Sequence, residues 1–207
     1  SSEGIALSTF ASVQHGAFHA DVYASGAWHS FETQRTLLVG PSQAATASGT
    51  TDATQIQAGA SIGQNLFTND WLKMGAIGGL YYAAIDVDGY TETGAGPLGA
   101  TIASNSVESL RSELGGEMAL HLARGNNALV PLLRVVWNHE FMDDPLFVTA
   151  GFAGAPSVTF TAPGPVLGSD WTTLGLGMSG QLTSGTSFYL RYQHDLGREG
   201  QENHEVS

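Results

Sequence analysis

Polar and apolar side chains alternate along residues 109–122 with the period of two that is typical of a β-strand. Arg111, Glu113 and Glu117 fall on one face of this predicted strand, and Leu114 falls on the other. An unpaired buried charge is strongly unfavourable, so the charged face must meet water or opposite charges. The opposite face is too evenly apolar for a surface in water. A strand with these two faces is typical of a transmembrane β-barrel.

Similar alternation recurs along the chain and predicts further antiparallel strands. Besides residues 109–122, the predicted strands cover residues 5–13, 18–35, 54–67, 71–84, 129–141, 171–182 and 188–195, and one more begins at 203–207. A short strand at 157–161 is predicted within a proline-rich connection. The pattern therefore predicts an all-β fold with about eight long strands and the beginning of another.

Short and long connections alternate between these predicted strands. The short ones fall at about 15–16, 68–70, 123–128 and 183–186, and the long ones at 36–52, 88–106, 142–168 and 197–202. An up-and-down barrel in an outer membrane has short periplasmic turns and longer outer loops. The alternation therefore predicts a transmembrane, up-and-down antiparallel β-barrel in a bacterial outer membrane, with its long loops extracellular.

Large aromatic side chains stand near the ends of several predicted strands. They are Trp28, Trp71, Tyr82, Trp137, Phe188 and Tyr192. Aromatic rings with an apolar body and a polar edge concentrate where a membrane protein meets the lipid headgroups. We therefore expect these six residues to form an aromatic girdle against outer-membrane lipid.

The charged positions of the predicted strands form a second candidate set, which we name the polar track. Its members are Arg111, Glu113, Glu117, Arg134, Glu140, Arg191 and Asp195. All occupy the polar phase of strands whose other phase is apolar. In a closed barrel such residues line a water-filled interior.

Composition removes several classes of function. The 207 residues include 7 Lys and Arg against 19 Asp and Glu, for a net charge of −12, which argues against nucleic-acid binding and against a polybasic lipid-binding patch. There is no cysteine, in keeping with passage through an oxidising periplasm. No apolar run approaches the roughly 18 residues of a membrane helix, and no signal peptide opens the chain.

Two short motifs resemble catalytic or cofactor sites but lack the required context. Residues 59–63 match Gly-x-Ser-x-Gly, yet the strand alternation runs straight through Ser61, whereas a nucleophile needs a sharp strand-to-helix turn. Residues 94–99 are glycine-rich, but no helix is predicted after them and Pro97 removes a backbone donor. We expect neither motif to carry chemistry.

Histidine spacing gives no metal site either. The seven histidines are His15, His19, His29, His121, His139, His194 and His204. None of them shows the close spacing of ligand pairs on one helix, although a site assembled in space remains open. No metal, cofactor or catalytic residue is predicted.

Five segments in order along the chain resemble one known family. They read Asp-Val-Asp-Gly-Tyr-Thr-Glu-Thr-Gly-Ala from Asp86, Ser-Leu-Arg-Ser-Glu-Leu-Gly from Ser109, Trp-Asn-His-Glu-Phe from Trp137, Phe-Ala-Gly-Ala-Pro from Phe152, and Leu-Arg-Tyr-Gln-His-Asp-Leu-Gly from Leu190. Together they resemble the C-terminal β-barrel translocator domain of autotransporters, the type V secretion proteins of Gram-negative bacteria. The resemblance covers nearly the whole chain.

The resemblance implies a barrel of twelve strands, threaded by a helix that joins it to an exported passenger, and ending in an aromatic residue. This chain shows fewer strands and ends at Ser207. We therefore expect residues 1–207 to be one translocator domain that lacks the first strands, the linker helix and the last strand. A self-closed eight-stranded barrel is the alternative architecture.

The resemblance also implies the function. The expected role is to anchor an N-terminal passenger and help export it, without enzymatic activity, and the expected partners are the passenger, its linker helix and the outer-membrane assembly machinery. Two interpretations of the polar track stay open, namely a solvated wall of paired charges or a surface that contacts the helix and passenger. The alternatives in other functional classes are a passive pore or structural barrel, and a soluble all-β binding or adhesin module.

Overall fold

The structure is a computed structural model that describes residues 1–38, 44–124, 127–164, 168–183, 185–198 and 204–206. Its strands are β1 (Ser2–His15), β2 (Phe18–Leu38), β3 (Ala44–Thr68), β4 (Leu72–Val87), β5 (Tyr90–Thr91), β6 (Ala100–Ile102), β7 (Asn105–Leu120), β8 (Leu122–Arg124), β9 (Asn127–Glu140), β10 (Phe147–Phe152), β11 (Ala155–Pro163), β12 (Asp170–Thr183), β13 (Thr186–Leu196) and β14 (His204–Val206). A 3₁₀ helix spans Gly96–Leu98. No helix in the described parts of the chain is long and apolar enough to cross a membrane.

The long strands form one curled antiparallel sheet. Its order is β1-β2-β3-β4-β7-β9-β12-β13-β14, and the short β8 pairs with β9. Each long strand therefore pairs with the next long strand along the chain, which is the up-and-down connectivity that the alternation predicted. The eight predicted strands correspond to β1, β2, β3, β4, β7, β9, β12 and β13, and the predicted start of another corresponds to β14. The all-β barrel prediction is confirmed at this level.

The register separates two faces across the whole sheet. One line of paired residues runs through Val13, Ala20, Ile62, Gly78, Leu114, Trp137 and Thr172, and the neighbouring line runs through Ser12, Asp21, Ser61, Gly79, Glu113, Asn138 and Trp171. In β9 the side chains of the second face are almost covered, with Val136 and Asn138 each 2% exposed, whereas Val135 is 43% and Trp137 47% exposed. We call the face of the second line, which carries most of the charged residues, the inner face, and the face of the first line, which is mostly apolar, the outer face.

The prediction of a long loop at 36–52 is wrong. Strands β2 and β3 continue as a hairpin whose last described pair is Leu38 with Ala44, and residues 39–43 of the predicted loop lie outside the described residues. The segment is rich in Ala, Ser and Thr, which resembles a loop in composition. Its backbone groups pair across the hairpin whatever the side chains are, and Thr favours the extended conformation. The hairpin extends past β4, whose last pair with β3 is Val87 with Ala53.

The connections predicted as loops at 88–106 and 142–168 contain strands. β5, β6, β10 and β11 form a second sheet in the order β11-β10-β6-β5. The short strand predicted at 157–161 lies within β11. An isolated β-bridge between Ser48 and Thr93 is one of the contacts between the extended hairpin and this region. The two connections therefore meet and fold together over the same end of the main sheet.

The opposite end of the sheet carries the tight connections. β1 and β2 are joined by Gly16 and Ala17, and Gly16 adopts a φ of 59°, a conformation that glycine reaches without steric cost. Between β3 and β4, the side chain of Asn69 accepts hydrogen bonds from the backbone of Trp71 and Leu72 at 3.0 and 2.7 Å. Residues 125–126 and 184, in two other predicted short turns, lie outside the described residues, as do 199–202 of the predicted connection at 197–202 and residues 203 and 207 of the predicted strand after it.

Candidate functional site

The inner face brings three members of the polar track into one ion cluster. Glu113, on β7, forms an ion pair with Nη2 of Arg111 at 3.1 Å through one carboxylate oxygen and accepts a hydrogen bond from Nη2 of Arg134 at 3.0 Å through the other. The side chain of Glu113 is 14% exposed, and those of Arg111 and Arg134 are 36% and 28% exposed. One carboxylate therefore bridges two partly solvated guanidinium groups on adjacent strands.

Glu117 lies beside this cluster. Arg134 is directly opposite Glu117 in the register of β7 and β9, but its guanidinium bonds the carboxylate of Glu113, which lies opposite Asn138, instead. Glu117 lines a cavity of about 110 Å³ on the inner face, together with Asp21 and Ser61. This part of the wall is therefore polar, concave and rich in carboxylates.

Tyr81 covers the other side of the cluster. The guanidinium carbon of Arg111 stands 5.3 Å from the centre of the Tyr81 ring, a cation–π arrangement. The rings of Tyr23 and Tyr81 have centres 6.3 Å apart. Gly59 lies between them in the register, where any Cβ would meet both rings. The aromatic packing on this face therefore depends on a missing side chain in β3.

Glu140 bonds backbone and hydroxyl donors rather than an arginine. Its carboxylate accepts from Ser109 Oγ at 2.6 Å and from the backbone N–H groups of Leu110 and Met142 at 2.8 and 3.1 Å. Arg111 is its opposite residue in the register, yet makes its ion pair with Glu113. Glu140 thus fastens the end of β9 to β7.

Asp195 belongs to a second inner-face network. It accepts from Thr173 Oγ1 at 2.6 Å, and Thr173 in turn accepts from the side-chain amide of Asn138 at 3.0 Å. Arg198 lies 3.7 Å from the Asp195 carboxylate, and its guanidinium carbon is 4.3 Å from the centre of the Trp171 ring. Asp195 is therefore separate from the Arg111–Glu113–Arg134 cluster.

Arg191 shares the inner face opposite Gly177, and within the described residues it forms no ion pair. The structure thus places all seven members of the polar track on one face, but among the described residues ion pairs join only three of the seven to one another. Alternation in the sequence located the face. It could not show which charges meet, because that depends on side-chain conformation across strands.

The register places the strand-borne girdle residues on the outer face. They are Trp28, Tyr82, Trp137, Phe188 and Tyr192, while Trp71 immediately precedes β4. Tyr82 donates to Glu108 at 2.7 Å. Trp28 does not lie near a strand end as predicted, because the extension of β2 to Leu38 puts it at the centre of a 21-residue strand. Trp28 is 56% exposed, as suits a ring that faces lipid.

Sequence reasoning missed a contact between the extended hairpin and the second sheet. Arg35 donates to Glu92 from Nε at 2.8 and 3.0 Å and from Nη2 at 2.6 Å. Glu92 also accepts from the backbone N–H of Ala100 at 2.7 Å and is only 8% exposed. The sequence signal is weak, because the two residues are 57 positions apart and neither stands in a pattern that points to the other.

This contact shifts the ionisation of both partners. The hydrogen bond from Arg35 holds the pKa of Glu92 below its ordinary value of 4.5, against the opposing effect of burial and with help from the Ala100 backbone donor. The Glu92 carboxylate in turn raises the pKa of Arg35. Glu92 is therefore held as a carboxylate at neutral pH.

The two short motifs lack catalytic or cofactor geometry. Ser61 lies within the regular pairing of β3 with β2 and β4, so the strand-to-helix turn of a nucleophile is missing. Residues 94–99 contain only the three-residue 3₁₀ helix, not the helix of a dinucleotide site. Among the described residues, no three His, Asp or Glu side chains come together as a metal site, and His139 pairs instead with Asp170 at 2.9 Å.

Proteins of known family and structure share this architecture. The family described as autotransporter beta-domain matches residues 1–193. Among solved structures, the chain resembles the translocator domain of autotransporter NalP from Neisseria meningitidis, with a TM-score of 0.67 and 18% sequence identity. The match covers 99% of this chain and 65% of the NalP chain, so this chain spans somewhat less than two thirds of that domain. A search of curated protein sequences gives no significant match.

The sequence match extends over most of the chain, and the curled up-and-down sheet matches a translocator fold over nearly its full length. The family is one of transport barrels rather than enzymes. The chain belongs to the autotransporter β-domain family.

Proposed function

We propose that this barrel anchors an N-terminal passenger in the bacterial outer membrane and helps to export it to the cell surface. The observation that carries the proposal is the separation of the sheet into an apolar outer face and a charged inner face. Leu114 is 63% exposed on the outer face, whereas Glu113, one residue earlier, bridges two arginines on the inner face. The apolar face suits lipid, and the charged face suits a hydrated passage.

The second element of the proposal concerns the polar track. Arg111, Glu113 and Arg134 lie on the inner wall with partly solvated side chains, and Glu117 lines the adjoining cavity. Mixed charges of this kind stay hydrated and offer short-lived contacts to a helix or an unfolded chain. We infer that the track contacts the linker helix and the passenger in transit, in addition to pairing its own charges.

The placement in the membrane follows from the outer face. Its exposed apolar residues meet outer-membrane lipid, and the girdle residues near strand ends, such as Trp71, Trp137 and Phe188, lie toward the headgroup regions. The second sheet and the extended hairpin occupy the extracellular side, and the tight turns occupy the periplasmic side. Insertion by the outer-membrane assembly machinery is part of the same proposal, supported by family membership alone.

The barrel closes in this proposal with strands from outside the present chain. In the described residues, β1 pairs only with β2 and β14 pairs only with β13, so the main sheet has two free edges. The matched NalP translocator domain is longer than this chain, which covers 65% of it. Additional strands before β1 and at the far edge would complete a barrel of twelve, which satisfies the exposed backbone groups that lipid cannot.

Protease access to the passenger on intact cells tests the function. The complete protein, with its passenger, is expressed in a Gram-negative host, and a matched version lacks residues 1–207. We expect external protease to digest the passenger of the complete protein but not that of the deleted version, which stays in the periplasm. A passenger that reaches the surface equally well without these residues would contradict the proposal.

A further inference from the structure

The second sheet has two chemically different faces. All five threonines of its strands lie on one face, which we name the threonine face. One register line of this face runs through Thr91, Thr101, Gly151 and Thr159, and the next line pairs Thr149 with Thr161. The opposite face carries Tyr90, Ile102, Ala150 and Phe160. None of the residues in these four strands is charged, although the protein has a net charge of −12.

The threonine face is turned to the side of the barrel and away from its interior. The isolated bridge pairs Thr93 with Ser48, which the register puts on the outer face of β3, and Thr93 shares the side of Thr91 by alternation. The other face of the second sheet packs inward, because a Cβ at Gly49, on the inner face of β3, would meet the ring of Tyr90. The threonine face therefore continues the outer surface of the main sheet beyond its apolar part.

Hydroxyl groups on this face form an ordered and exposed array. The Thr91 hydroxyl donates to the Thr101 hydroxyl at 3.2 Å, and the hydroxyls of Thr149 and Thr161 lie 3.3 Å apart. A hydroxyl has one donor and two acceptor sites, so each pair keeps one donor and three acceptors for a ligand. Gly151 has no side chain, which leaves a notch between Thr101 and the next strand but one, about 10 Å away.

Strand propensity alone does not account for this arrangement. Valine and threonine both favour extended backbone, and the opposite face of the same strands uses Tyr, Ile and Phe. Exposed edge strands are commonly protected by charged side chains, yet the edge strand β11 (Ala155–Pro163) has none. The face combines exposure with uncharged hydroxyl groups, which indicates a ligand that offers the same groups.

A neutral saccharide is the ligand that this chemistry fits. Its hydroxyl groups donate and accept hydrogen bonds, whereas phosphate and carboxylate groups bind best to positive partners, which the threonine face does not contain. Phe147 lies on the same side of β10 as Thr149 and is 53% exposed. The face of an aromatic ring is electronegative and attracts C–H groups such as those on one side of a sugar ring. The threonine face and Phe147 together therefore offer the polar and apolar contacts that a sugar needs.

The position of the face selects the source of the saccharide. A surface that continues the lipid-facing side of a barrel meets, just beyond the headgroups, the saccharide chains of the outer-leaflet lipid. These chains are tethered beside the barrel, so a low affinity for each sugar is offset by a high local concentration. Free saccharide in the medium lacks this advantage.

We propose that the threonine face, with Phe147, binds neutral saccharide chains of the lipopolysaccharide molecules that surround the barrel. The proposal rests on the membrane placement given under the proposed function, and it adds a ligand on the extracellular side. Bound saccharide stabilises the second sheet, because a ligand that binds only the folded state opposes its opening.

Hydrogen exchange of the full-length protein in isolated outer membranes tests the proposal. One host strain carries lipopolysaccharide with long neutral saccharide chains, and the other keeps only lipid A and its innermost sugars. We expect the amide hydrogens of β10 and β11 to exchange about three- to tenfold more slowly in the first membrane, since the slowing equals 1 + [L]/Kd. Amide hydrogens of β12 should exchange equally in both membranes.

Isosteric variants separate the hydroxyl groups from the shape of the face. Thr101→Val combined with Thr159→Val should abolish the difference between the two membranes, and Thr101→Ser combined with Thr159→Ser should keep it. Thr186→Val is the matched control, because Thr186 is an exposed strand residue beside the tight turn at the other end of the main sheet. Exchange in the truncated membrane shows whether each variant keeps the second sheet folded.

Equal exchange of the unaltered protein in both membranes would overturn the proposal, and so would protection that persists in the double valine variant. The same saccharide, added free to the truncated membrane at equal concentration, should give no protection. Protection by the free saccharide would overturn the lipid-borne source, and protection that rises with protein density in the truncated membrane would assign the face to a second copy of this chain. Failure of the membrane placement is detected separately, by the absence of maleimide labelling of Asp144→Cys on intact cells.

Discussion

The guanidinium of Arg35 holds the carboxylate of Glu92 through three hydrogen bonds of 2.6 to 3.0 Å, across 57 residues of chain. The Glu92 carboxylate also accepts a hydrogen bond from the backbone N–H of Ala100, the first residue of β6. The contact joins the extended β2–β3 hairpin to the second sheet. It is the main polar link that the described residues show between these two outer structures, and it gives the first prediction.

We expect the outer structures to loosen in acid. The pKa of Glu92 is lowered in the folded protein, so its stabilising contribution is complete above the ordinary value of 4.5 and is lost as the pH falls through the lower folded pKa. Digestion of the second sheet by an acid-active protease on intact cells should therefore increase progressively as the pH falls below that ordinary value. In Glu92→Gln the segment should be cut readily at every pH. Equal pH dependence in the variant would show that another group is responsible.

A methyl group at position 59 should disturb the barrel. The added Cβ of Gly59→Ala meets the ring of Tyr23 and stands 2.6 Å from Cδ1 of Tyr81. Overpacking of this kind costs about 1–3 kcal/mol. The matched control is Gly26→Ala, whose Cβ has no neighbour closer than 3.7 Å. The temperature at which the folded form disappears from an unheated gel should fall for Gly59→Ala only, and equal temperatures would contradict the packing.

A charge on the outer face should be far more costly than one on the inner face. In β12, Leu176 is on the outer face and 47% exposed, whereas Ser179 is on the inner face. Leu176→Arg should destabilise the barrel in a bilayer by about 2–4 kcal/mol, and Ser179→Arg by much less. Unfolding by denaturant in lipid vesicles measures both. Equal losses would reverse or abolish the assignment of the faces.

The register also decides which inner positions suit such controls. Gly115 is adjacent to Leu114 on the inner side, yet a Cβ there meets the backbone of Val135 and stands 2.7 Å from Cα of Val136. An arginine at Gly115 would therefore distort the strands for steric reasons, whichever face it entered. The alternation of residues 109–122 puts Gly115 on the face of Glu113 and Glu117, but it gives no measure of the space available to a side chain.

Single cysteines test the orientation in the membrane. The chain contains no cysteine of its own, so each introduced thiol is the only one within these residues. We expect Asp144→Cys, between β9 and β10, to react on intact cells with a maleimide too large to enter the outer membrane. Asp70→Cys, in the tight turn before β4, should react only after the membrane is opened. The opposite result would invert the topology.

The sequence predicted those features that depend on alternation and failed for those that depend on contacts across the fold. The pairing of Leu114 with Trp137 on one face and Glu113 with Asn138 on the other follows from period-two patterns in two strands. The extension of β2 and β3 was missed because residues 44–52 are small and polar, and backbone pairing leaves no hydrophobic signal there.

The candidate site shows the same limit. Alternation assigned the polar track to one face, and the register puts its seven residues on the same face of the sheet. The pairing of Arg134 with Glu113 rather than with Glu117 depends on side-chain conformation, which leaves no visible pattern in a single sequence. The Arg35–Glu92 contact was missed because Arg35 and Glu92 meet only where the second sheet packs against the extended hairpin. No local spacing signals an approach of that kind.

The most direct test of the central claim compares passenger display with barrel folding in the same cells. Glu117 lies on the inner wall beside the ion cluster, and charges in such surroundings contribute about 0–1 kcal/mol to stability. In the full-length protein, Glu117→Gln should leave the amount of heat-resistant folded barrel unchanged and slow the appearance of surface passenger by up to about fivefold, the equivalent of ~1 kcal/mol. Loss of folded barrel, with surface passenger falling only in proportion, would show that the inner charges serve folding and would contradict their role in transit.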